Sequence, residues 1–294
     1  MIRSFILGNP RSGTSLLRIM LNAHPQIAAP PECGFLQWWY AKYGDWSEHD
    51  GHDDRHILAF AHDVFQSKKM ETWELPESMI IEALESERPS SYGQACAVIY
   101  HVWYQCQQKD SNTTSMRHSL QAIVDKNNYY INHLNQIDEV WPEARYIFLT
   151  RDGRDVAASY KDLQGTETDS PYAPDLPTSI PEIAAEWSTN NKRAMNFLKR
   201  KPETRWIHLR YEDLVRSPEE SLHGPLSLLE VSYRECVTAY YKYNDEPDVT
   251  LDWKERTLQP PDPSRIGRYQ KALTSCEVQQ FEQEAAPLLH HFGY

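Results

Sequence analysis

The segment from Gly8 to Ser15 constrains the fold of this chain more than any other. It separates a short apolar run, Ile2 to Leu7, from the stretch Thr14 to Leu21, in which apolar residues recur at helical spacing. Its two glycines, Gly8 and Gly13, allow a tight backbone turn between these neighbours. The pattern therefore predicts a buried strand, a glycine loop and a helix in immediate succession.

Two later segments repeat this strand-to-helix pattern. Tyr146 to Thr150 is rich in strand-forming residues and leads, through a turn at residues 151–154, into the helical stretch Asp155 to Leu163. Trp206 to Tyr211 is followed in the same way by residues 212–215. Strands that alternate with helices form parallel sheets covered by helices on both faces. We therefore predict an α/β fold class, a P-loop-like parallel sheet flanked by helices.

The other segments have helical or loop character. Pro76 to Ser86 and Gly93 to Gln107 have helical patterns, so we predict a helical insertion after the first βα unit, at about residues 40–120. Gly165 to Pro181 contains four prolines among small polar residues and predicts an exposed loop. Ser275 to Phe292 predicts a closing amphipathic helix.

Composition limits the number of domains and the classes of partner. A chain of 294 residues fits one domain, residues 1–294. Its formal net charge of -12 argues against nucleic acid or an anionic membrane surface as a partner. No apolar run is long enough for a signal segment or a membrane span. The five dispersed cysteines form no CxxC pair, so we expect mostly buried, reduced thiols in a soluble cytoplasmic protein. The sequence does not indicate the oligomeric state.

The glycine loop has the spacing of a P-loop, which binds phosphate groups. Glycines let backbone N–H groups converge, and the following helix adds partial positive charge at its N-terminus. In nucleoside-triphosphatases a lysine occupies the position held here by Thr14, whereas the positive charge of this loop lies at Arg11. The loop therefore favours an anionic nucleotide other than ATP-Mg²⁺. A kinase-like P-loop protein that uses ATP-Mg²⁺ remains the alternative.

Residues Asn9 to Arg18, with the sequence NPRSGTSLLR, resemble the 5′-phosphosulfate loop of sulfotransferases that use 3′-phosphoadenosine 5′-phosphosulfate (PAPS). The pattern is similar to that of protein-tyrosine sulfotransferases and related bacterial enzymes, in which the helix continues to a segment like Asn22 to Pro25 and then to an acidic residue, here Glu32. The resemblance implies PAPS as cosubstrate, PAP as product, and the following donor-binding residues: Arg11, Ser12, Gly13, Thr14 and Ser15.

A second part of the donor site is implied by the segment Tyr146 to Ser159, which resembles the 3′-phosphate motif of the same family. Arg151 at the carboxyl end of a strand and Ser159 in the next helix are able to close on one phosphate. Arg154 is the weaker candidate, because Asp152 or Asp155 is near enough in sequence to pair with it.

Two further segments complete the implied donor site. Residues 210–215 resemble the family's strand end, whose tyrosine lies near the nucleotide, and this implies a role for Tyr211. Ser264 to Tyr269 resembles the late glycine-basic loop of the family and implies contacts from Arg265, Gly267 and Arg268.

The resemblance also implies catalytic residues. Glu32 corresponds to the catalytic glutamate and is expected to act as general base; His24 is the rival suggested by residue type alone. Lys126 resembles the lysine that contacts the donor's bridging oxygen, although Asn127 follows it where the family usually has an acid. Arg11 is expected to neutralise charge during transfer, and Thr257 is a weaker match to an assisting serine.

Metal and acceptor are the remaining questions. The run Glu48 to His56 is rich in His and Asp but lacks the ligand spacing of zinc or calcium sites, so we expect an exposed loop and assign no metal. The expected acceptor is a hydroxyl compound, a small molecule in preference to a carbohydrate or a peptide tyrosine. A catalytically inactive PAPS-binding protein is disfavoured, because Glu32 and Arg11 are both present.

Overall fold

The computed structural model of the chain describes residues 1–110, 119–164, 170–243, 246–247 and 254–294. Its centre is a sheet of five parallel strands in the order β2-β3-β1-β4-β5. The strands are β1 (Ile2–Leu7), β2 (Ile27–Ala28), β3 (Ala122–Lys126), β4 (Arg145–Thr150) and β5 (Trp206–Arg210). The predicted α/β fold class is confirmed.

Helices cover both faces of the sheet and fill the connection between β2 and β3. The helices of the first half are α1 (Thr14–Asn22), α2 (Phe35–Trp38), α3 (Tyr40–Tyr43), α4 (Glu48–His52), α5 (Asp54–Phe65), α6 (Glu77–Glu87) and α7 (Tyr92–Asp110). Those of the second half are α8 (Leu134–Val140), α9 (Gly153–Gln164), α10 (Ile180–Leu198), α11 (Tyr211–Arg216), α12 (Pro218–Leu228), α13 (Tyr269–Ala272) and α14 (Ser275–His291).

Alternation along the central strands divides the hydrophobic core into two layers. Phe5 and Phe148 belong to the layer that includes the helices of the insertion, α10 and α14. Ile6 and Ile147 belong to the opposite layer, which includes α1 and α12. Since successive side chains of a strand point to opposite faces, the central strands supply both layers, and residues 5–7 of β1 and 146–149 of β4 are continuously apolar instead of alternating.

The helical insertion packs on one face of the sheet. Helices α2 to α7 lie between β2 and β3, and their apolar side chains share one continuous core with Phe5 of the central strand. Phe35 of α2, for example, meets Tyr100 of α7 with ring centroids 5.5 Å apart. The division of residues 1–294 into a single domain stays a prediction, although this shared core supports it.

Two expectations about loops need correction. The segment Glu48 to His56 is not an exposed loop, because α4 and the beginning of α5 occupy it. Ser47 and Asp50 form a capping box for α4, and Asp53 accepts a hydrogen bond from the backbone N–H of Arg55 at 2.9 Å. Asp50 and Asp53 of this run therefore cap helix N-termini, which is a common use of Asp.

The proline-rich segment ends earlier than predicted. Residues 170–179 form neither helix nor strand, whereas Ser179 caps α10 and Pro181 lies in the first turn of that helix, where proline is tolerated. Residues 165–169 of the predicted loop lie outside the described residues.

The cysteines differ in part from the expectation. None of the five, all within the described ranges, is in a disulfide. Cys33 and Cys96 are buried, but Cys276 is exposed, so the expectation of mostly buried thiols holds for only part of the set. Within the described ranges, no helix is long and apolar enough to cross a membrane.

Candidate active site

A cavity of about 640 Å³ lies at the carboxyl ends of the parallel strands. Ligands of open parallel sheets bind at this edge, because the loops that follow the strands meet there. Its walls include the glycine loop, the ends of β3 and β4, and several later turns. The lining residues relevant here are Arg11, Gly13, Thr14, Ser15, Glu32, Lys69, Lys126, Arg151, Ser159, Tyr211, Lys254, Thr257 and Arg265.

The glycine loop is held close to β4 and α11. Gly13 has a φ of 97°, and a Cβ atom at this position would lie 2.5 Å from Cδ2 of the Tyr211 ring. At Gly8 a Cβ atom would lie 2.7 Å from the carbonyl oxygen of Leu149. Both positions therefore require glycine, the first for its backbone conformation and both for space.

Arg11 and Arg151 bring two guanidinium groups together beside the loop. Arg11 donates from Nε to Oγ of Ser159 at 3.2 Å, and Arg151 donates from Nη1 to the carbonyl oxygen of Arg11 at 3.1 Å. Burial, followed by the nearby charge of Arg151, lowers the pKa of Arg11 to about 10. Arg11 is therefore still charged at neutral pH, and the proximity of the two guanidinium groups favours an anionic ligand.

Arg151 is oriented by its other neighbours. Its Cζ lies 4.3 Å from the centroid of the Tyr211 ring, and Nη2 donates to the carbonyl oxygen of Arg265 at 3.2 Å. Its buried Nε has no hydrogen-bond partner within the described ranges, and the same is true of Oγ of Ser12, a residue that does not line the cavity. A buried donor of this kind is costly unless a ligand satisfies it, so Arg151 fits a phosphate group.

Glu32 is surrounded by three ammonium groups. Lys126 forms a hydrogen-bonded ion pair with Oε1 of Glu32 and donates to Oγ of Ser15 at 3.3 Å. Lys254 lies 3.7 Å from Oε1, and Lys69 lies 3.6 Å from Oε2. Burial by itself raises the pKa of Glu32, but the three positive charges outweigh it and hold the pKa well below its usual range.

Lys126 lies at the end of β3 and is more deeply buried than Glu32. Burial is the largest cause that lowers its pKa, to about 8, and repulsion from Lys254 acts in the same direction. The attraction of Glu32 offsets these effects only in part. A small change in the surroundings of this ammonium group therefore changes its charge near neutral pH.

Two of the weaker candidates lie outside the cavity lining. His24 is buried, its Nε2 is 3.0 Å from the carbonyl oxygen of Ser232, and its Nδ1 accepts from the N–H of Gln26. Arg154 pairs with Asp152 at 2.8 Å and with Glu282 at 2.7 Å. Main-chain groups thus hold the ring of His24, and Asp152 holds the guanidinium group of Arg154.

The late glycine-basic loop reaches the cavity only in part. Arg265 lines it, with Nη2 3.5 Å from Oδ2 of Asp162. Gly267 and Arg268 do not line the cavity: the N–H of Gly267 donates to Asp155 at 2.8 Å, and Arg268 pairs with Asp162. Their proposed contact with the donor stays a prediction.

Thr257 lines the cavity from a short 3₁₀ helix, Glu255–Leu258. Its Oγ1 donates to the carbonyl oxygen of Lys254 at 2.7 Å. The hydroxyl therefore stabilises the turn that carries Lys254.

Lys69 and Lys254 are site residues that sequence reasoning missed. Lys69 follows Lys68, and Lys254 lies between Trp253 and Glu255; neither belongs to a recognisable binding motif, and lysines in such segments are usually solvated. The positive φ of Lys69, 71°, is visible only in the structure. In the part of the chain that the structure describes, no cluster of three His, Cys, Asp or Glu residues is arranged to hold a metal ion.

The parallel sheet and the glycine loop after its first strand define an α/β protein with a P-loop-like fold. The sequence profile of the sulfotransferase family matches residues 4–235. The chain therefore belongs to the sulfotransferase family.

Known proteins similar to this chain agree with that assignment. A protein-tyrosine sulfotransferase of Drosophila melanogaster is 24% identical over 297 residues, and the match covers 99% of this chain but 51% of the relative. Protein-tyrosine sulfotransferase 2 of Gallus gallus is 23% identical, with 99% and 68% covered. The chain thus spans about half the length of the first of these relatives.

A solved sulfotransferase domain from the curacin biosynthetic pathway has the same fold. It superposes with a TM-score of 0.60 at 20% identity, and the match covers 97% of each chain.

Proposed function

We propose that this protein transfers the sulfuryl group of PAPS to the hydroxyl group of an acceptor, giving PAP and a sulfate ester. One observation carries the proposal: a single cavity is lined by Arg11 of the glycine loop, by the neighbouring Arg151 and by the Glu32–Lys126 pair. Phosphate binding and proton transfer are the two tasks that this reaction requires. Family membership supports the same assignment.

Donor binding is proposed to divide between two groups of residues. The loop from Arg11 to Ser15 and the start of α1 would hold the 5′-phosphosulfate, because convergent N–H groups and the helix N-terminus favour anions. Arg151 and Ser159 would hold the 3′-phosphate. The buried, unpartnered Nε of Arg151 supports this division, since a bound phosphate oxygen would satisfy it.

The proposed chemical step is an in-line displacement at sulfur. The acceptor oxygen forms a bond to sulfur while the bond from sulfur to the 5′-phosphate oxygen breaks. The hydroxyl proton passes to the carboxylate of Glu32, and the ammonium group of Lys126 donates to the departing phosphate oxygen. The contact of Lys126 with Ser15, at the first turn of α1, supports this placement, since it puts the ammonium group beside the loop.

The acceptor is proposed to be a small hydroxyl compound with an apolar body. Trp38, Tyr129, Ile131 and Leu176 line the cavity together with Glu32, and Trp38 and Tyr129 are exposed to solvent. Aromatic side chains of this kind offer a large contact area for an apolar ligand. We also propose a cytoplasmic location, since none of the five cysteines is in a disulfide.

Calorimetry with purified protein tests the donor assignment. We expect PAP to bind without Mg²⁺ and with a dissociation constant in the low micromolar range or better. This range corresponds to a binding free energy of about -8 kcal/mol. ATP should bind far more weakly, with or without Mg²⁺. Tight, Mg²⁺-dependent binding of ATP and no binding of PAP would instead identify a kinase-like P-loop protein. Radiolabelled PAPS and a panel of phenols, alcohols, carbohydrates and tyrosine peptides then identify the acceptor class.

A further inference from the structure

We propose that Lys254 is a catalytic residue that contacts the transferring sulfuryl group, and that Glu246 is the positioning residue that holds it there. The inference rests on the proposed sulfuryl transfer and extends it, because neither residue belongs to the segments that resemble known sulfotransferase motifs. It is carried by a chain of buried charges that runs from α1 to the cavity.

The chain of charges begins at Arg18 on the buried side of α1. Arg18 donates from Nη1 to the carbonyl oxygen of Ala29 at 2.6 Å, and its Nη2 lies 2.8 Å from Oε2 of Glu246. The other oxygen of Glu246 pairs with Nζ of Lys254. Lys254 in turn lies 3.7 Å from Oε1 of Glu32. Each carboxylate oxygen of Glu246 thus engages a different cation.

Burial makes this arrangement expensive. The side chains of Arg18 and Glu246 are 1% and 0% exposed, and that of Lys254 is 9% exposed. Desolvation of the ions opposes such pairs, and hydrophobic residues of similar volume are often as stable in these positions. A gain in folding stability is therefore a poor explanation for buried ion pairs at this place. The need to hold the ammonium group of Lys254 at a fixed point in the cavity explains them better.

The orientation of the network indicates where its charge acts. Glu246 does not line the cavity, but Lys254 does, together with Glu32 and Lys126. The two lysines approach the same oxygen of Glu32, one within a hydrogen bond and the other at 3.7 Å. The ammonium group of Lys254 is therefore fixed by its ion pair with Glu246, and its contact with Glu32, the proposed base, is the longer one.

This difference assigns separate tasks to the two lysines. While both ammonium groups face Glu32, the carboxylate is a weak base, because they stabilise its ionised form. A sulfuryl group in the cavity carries anionic oxygens that compete for these ammonium groups. Lys126, beside Ser15, is placed for the departing phosphate oxygen, and Lys254 is placed for the sulfuryl oxygens. Fixed cations aimed at charge in the transition state supply a large part of the rate in comparable reactions.

The experiment compares Lys254→Met, Lys254→Arg and Glu246→Gln with the unaltered protein. The readouts are PAP release from PAPS, with 4-nitrophenol as the acceptor, and the dissociation constant of PAP, which lacks the sulfuryl group. For Lys254→Met we expect kcat to fall by about a hundredfold or more, as when one transition-state donor is removed. PAP affinity should stay within about threefold. Lys254→Arg should recover part of the rate, and Glu246→Gln should lose about tenfold.

The pH profile separates a catalytic role from a structural one. Lys126, Lys69 and Lys254 are the cations nearest Glu32, and Asp125 precedes Lys126 on β3. Removing the positive charge of Lys254 raises the pKa of Glu32, so the acidic limb of kcat/KM, measured with a poorly acidic phenol that must lose its proton, should move to higher pH in Lys254→Met. A change that only loosened the fold would not move this limb.

Two further variants keep the test decisive. Lys161→Met is the matched control, because Lys161 also pairs with a glutamate, Glu277 at 2.6 Å, but does not line the cavity. It should behave like the unaltered protein. If Lys254→Met does not fold because one oxygen of Glu246 is then buried without its cation, the double variant Glu246→Gln/Lys254→Met replaces the carboxylate by an amide whose oxygen is still able to accept from Arg18, and it should show the same loss of kcat.

The possible failures are distinguishable. If the unaltered protein neither binds PAP nor consumes PAPS, the proposed function is wrong and the inference fails with it. If the unaltered protein is active and Lys254→Met, or the folded double variant, retains activity within twofold, only the inference is overturned. A loss of PAP affinity as large as the loss of kcat would overturn it as well, by showing that Lys254 supports the donor site as a whole.

Discussion

Nε of Arg11, in the glycine loop, donates a hydrogen bond at 3.2 Å to Oγ of Ser159, which lies 148 positions later in the chain. The sequence assigned these residues to different ends of the donor, Arg11 to the 5′ side and Ser159 to the 3′ side. In the folded protein they are neighbours, because β1 and β4 are adjacent in the sheet. The two halves of the proposed donor site are therefore one hydrogen-bonded unit.

Ser159→Ala tests whether the hydroxyl of Ser159 contacts the 3′-phosphate of the donor. If the hydroxyl contacts the 3′-phosphate, PAP affinity should fall by about 1.5 to 3 kcal/mol, the range for hydrogen bonds to charged groups. Affinity for adenosine 5′-phosphosulfate, which lacks the 3′-phosphate, should change by less than about threefold. Calorimetry with both ligands measures this. If the affinities for both ligands fall equally, Ser159 acts only by orienting Arg11 and does not contact the 3′-phosphate. Ser188→Ala is the control, since Ser188 is buried in α10 but does not line the cavity.

Gly13→Ala should abolish PAP binding. The new Cβ would meet the Tyr211 ring at 2.5 Å in a backbone conformation with a φ of 97°, so the loop or the tyrosine must move. Gly293→Ala shares the backbone strain, with a φ of 76°, but its Cβ meets nothing closer than 3.9 Å and it lies outside the cavity lining. Both variants should lose about 1 to 3 kcal/mol of stability in denaturant unfolding. Only Gly13→Ala should lose PAP binding; retained binding would contradict the proposed loop site.

Glu32→Gln should lower turnover by about 10² to 10⁴, the usual contribution of general acid–base catalysis, while PAP affinity stays within a few fold. Steady-state kinetics with a poorly acidic phenol measures the loss. With 4-nitrophenol, a substantial fraction of which is ionised near neutral pH, the defect should shrink, because the ionised acceptor has no proton to lose. A defect of constant size would show that Glu32 acts by positioning the acceptor.

His24→Asn is the comparison for the base assignment. His24 is buried and bound to main-chain groups, so its loss should lower the unfolding temperature. The turnover of the folded His24→Asn protein should change much less than that of Glu32→Gln. A stable His24→Asn protein without activity, beside a nearly normal Glu32→Gln protein, would reverse the assignment.

The pH dependence should report Lys126. Its pKa, lowered to about 8 chiefly by burial, means that the ammonium group is charged below that pH and neutral above it. The neutral amine cannot stabilise the departing phosphate oxygen. Because kcat/KM reports the pKa values of the free enzyme, it should decline as the pH rises through about 8. Lys126→Arg keeps its charge at high pH, so its residual activity should lack this decline. An unchanged alkaline limb in the arginine variant would assign the limb to another group.

The local elements of the fold were predictable from the sequence. The strand Ile2–Leu7, the helix that begins at Thr14 and the strand at Arg145–Thr150 agree with the patterns that predicted them. Each is specified by neighbours a few positions apart, through apolar periodicity and glycine turns. The two-residue strand β2 was not predicted, because so short a segment has no periodicity of its own and is defined only by its pairing with β3.

The candidate site divides in the same way. Arg11, Glu32 and Arg151 lie in or near short motifs, so the sequence, with the family resemblance, predicted them as site residues, and all three line the cavity. Lys254 and Glu246 carry no such pattern, because their meaning depends on Arg18 and Glu32, more than two hundred positions away. Only tertiary packing brings these charges together, and only burial makes their interaction strong, since the same charges in water would be screened and solvated. The sequence thus determined which residue types stand in the loop and at the strand ends, and the tertiary structure decided which cations surround Glu32.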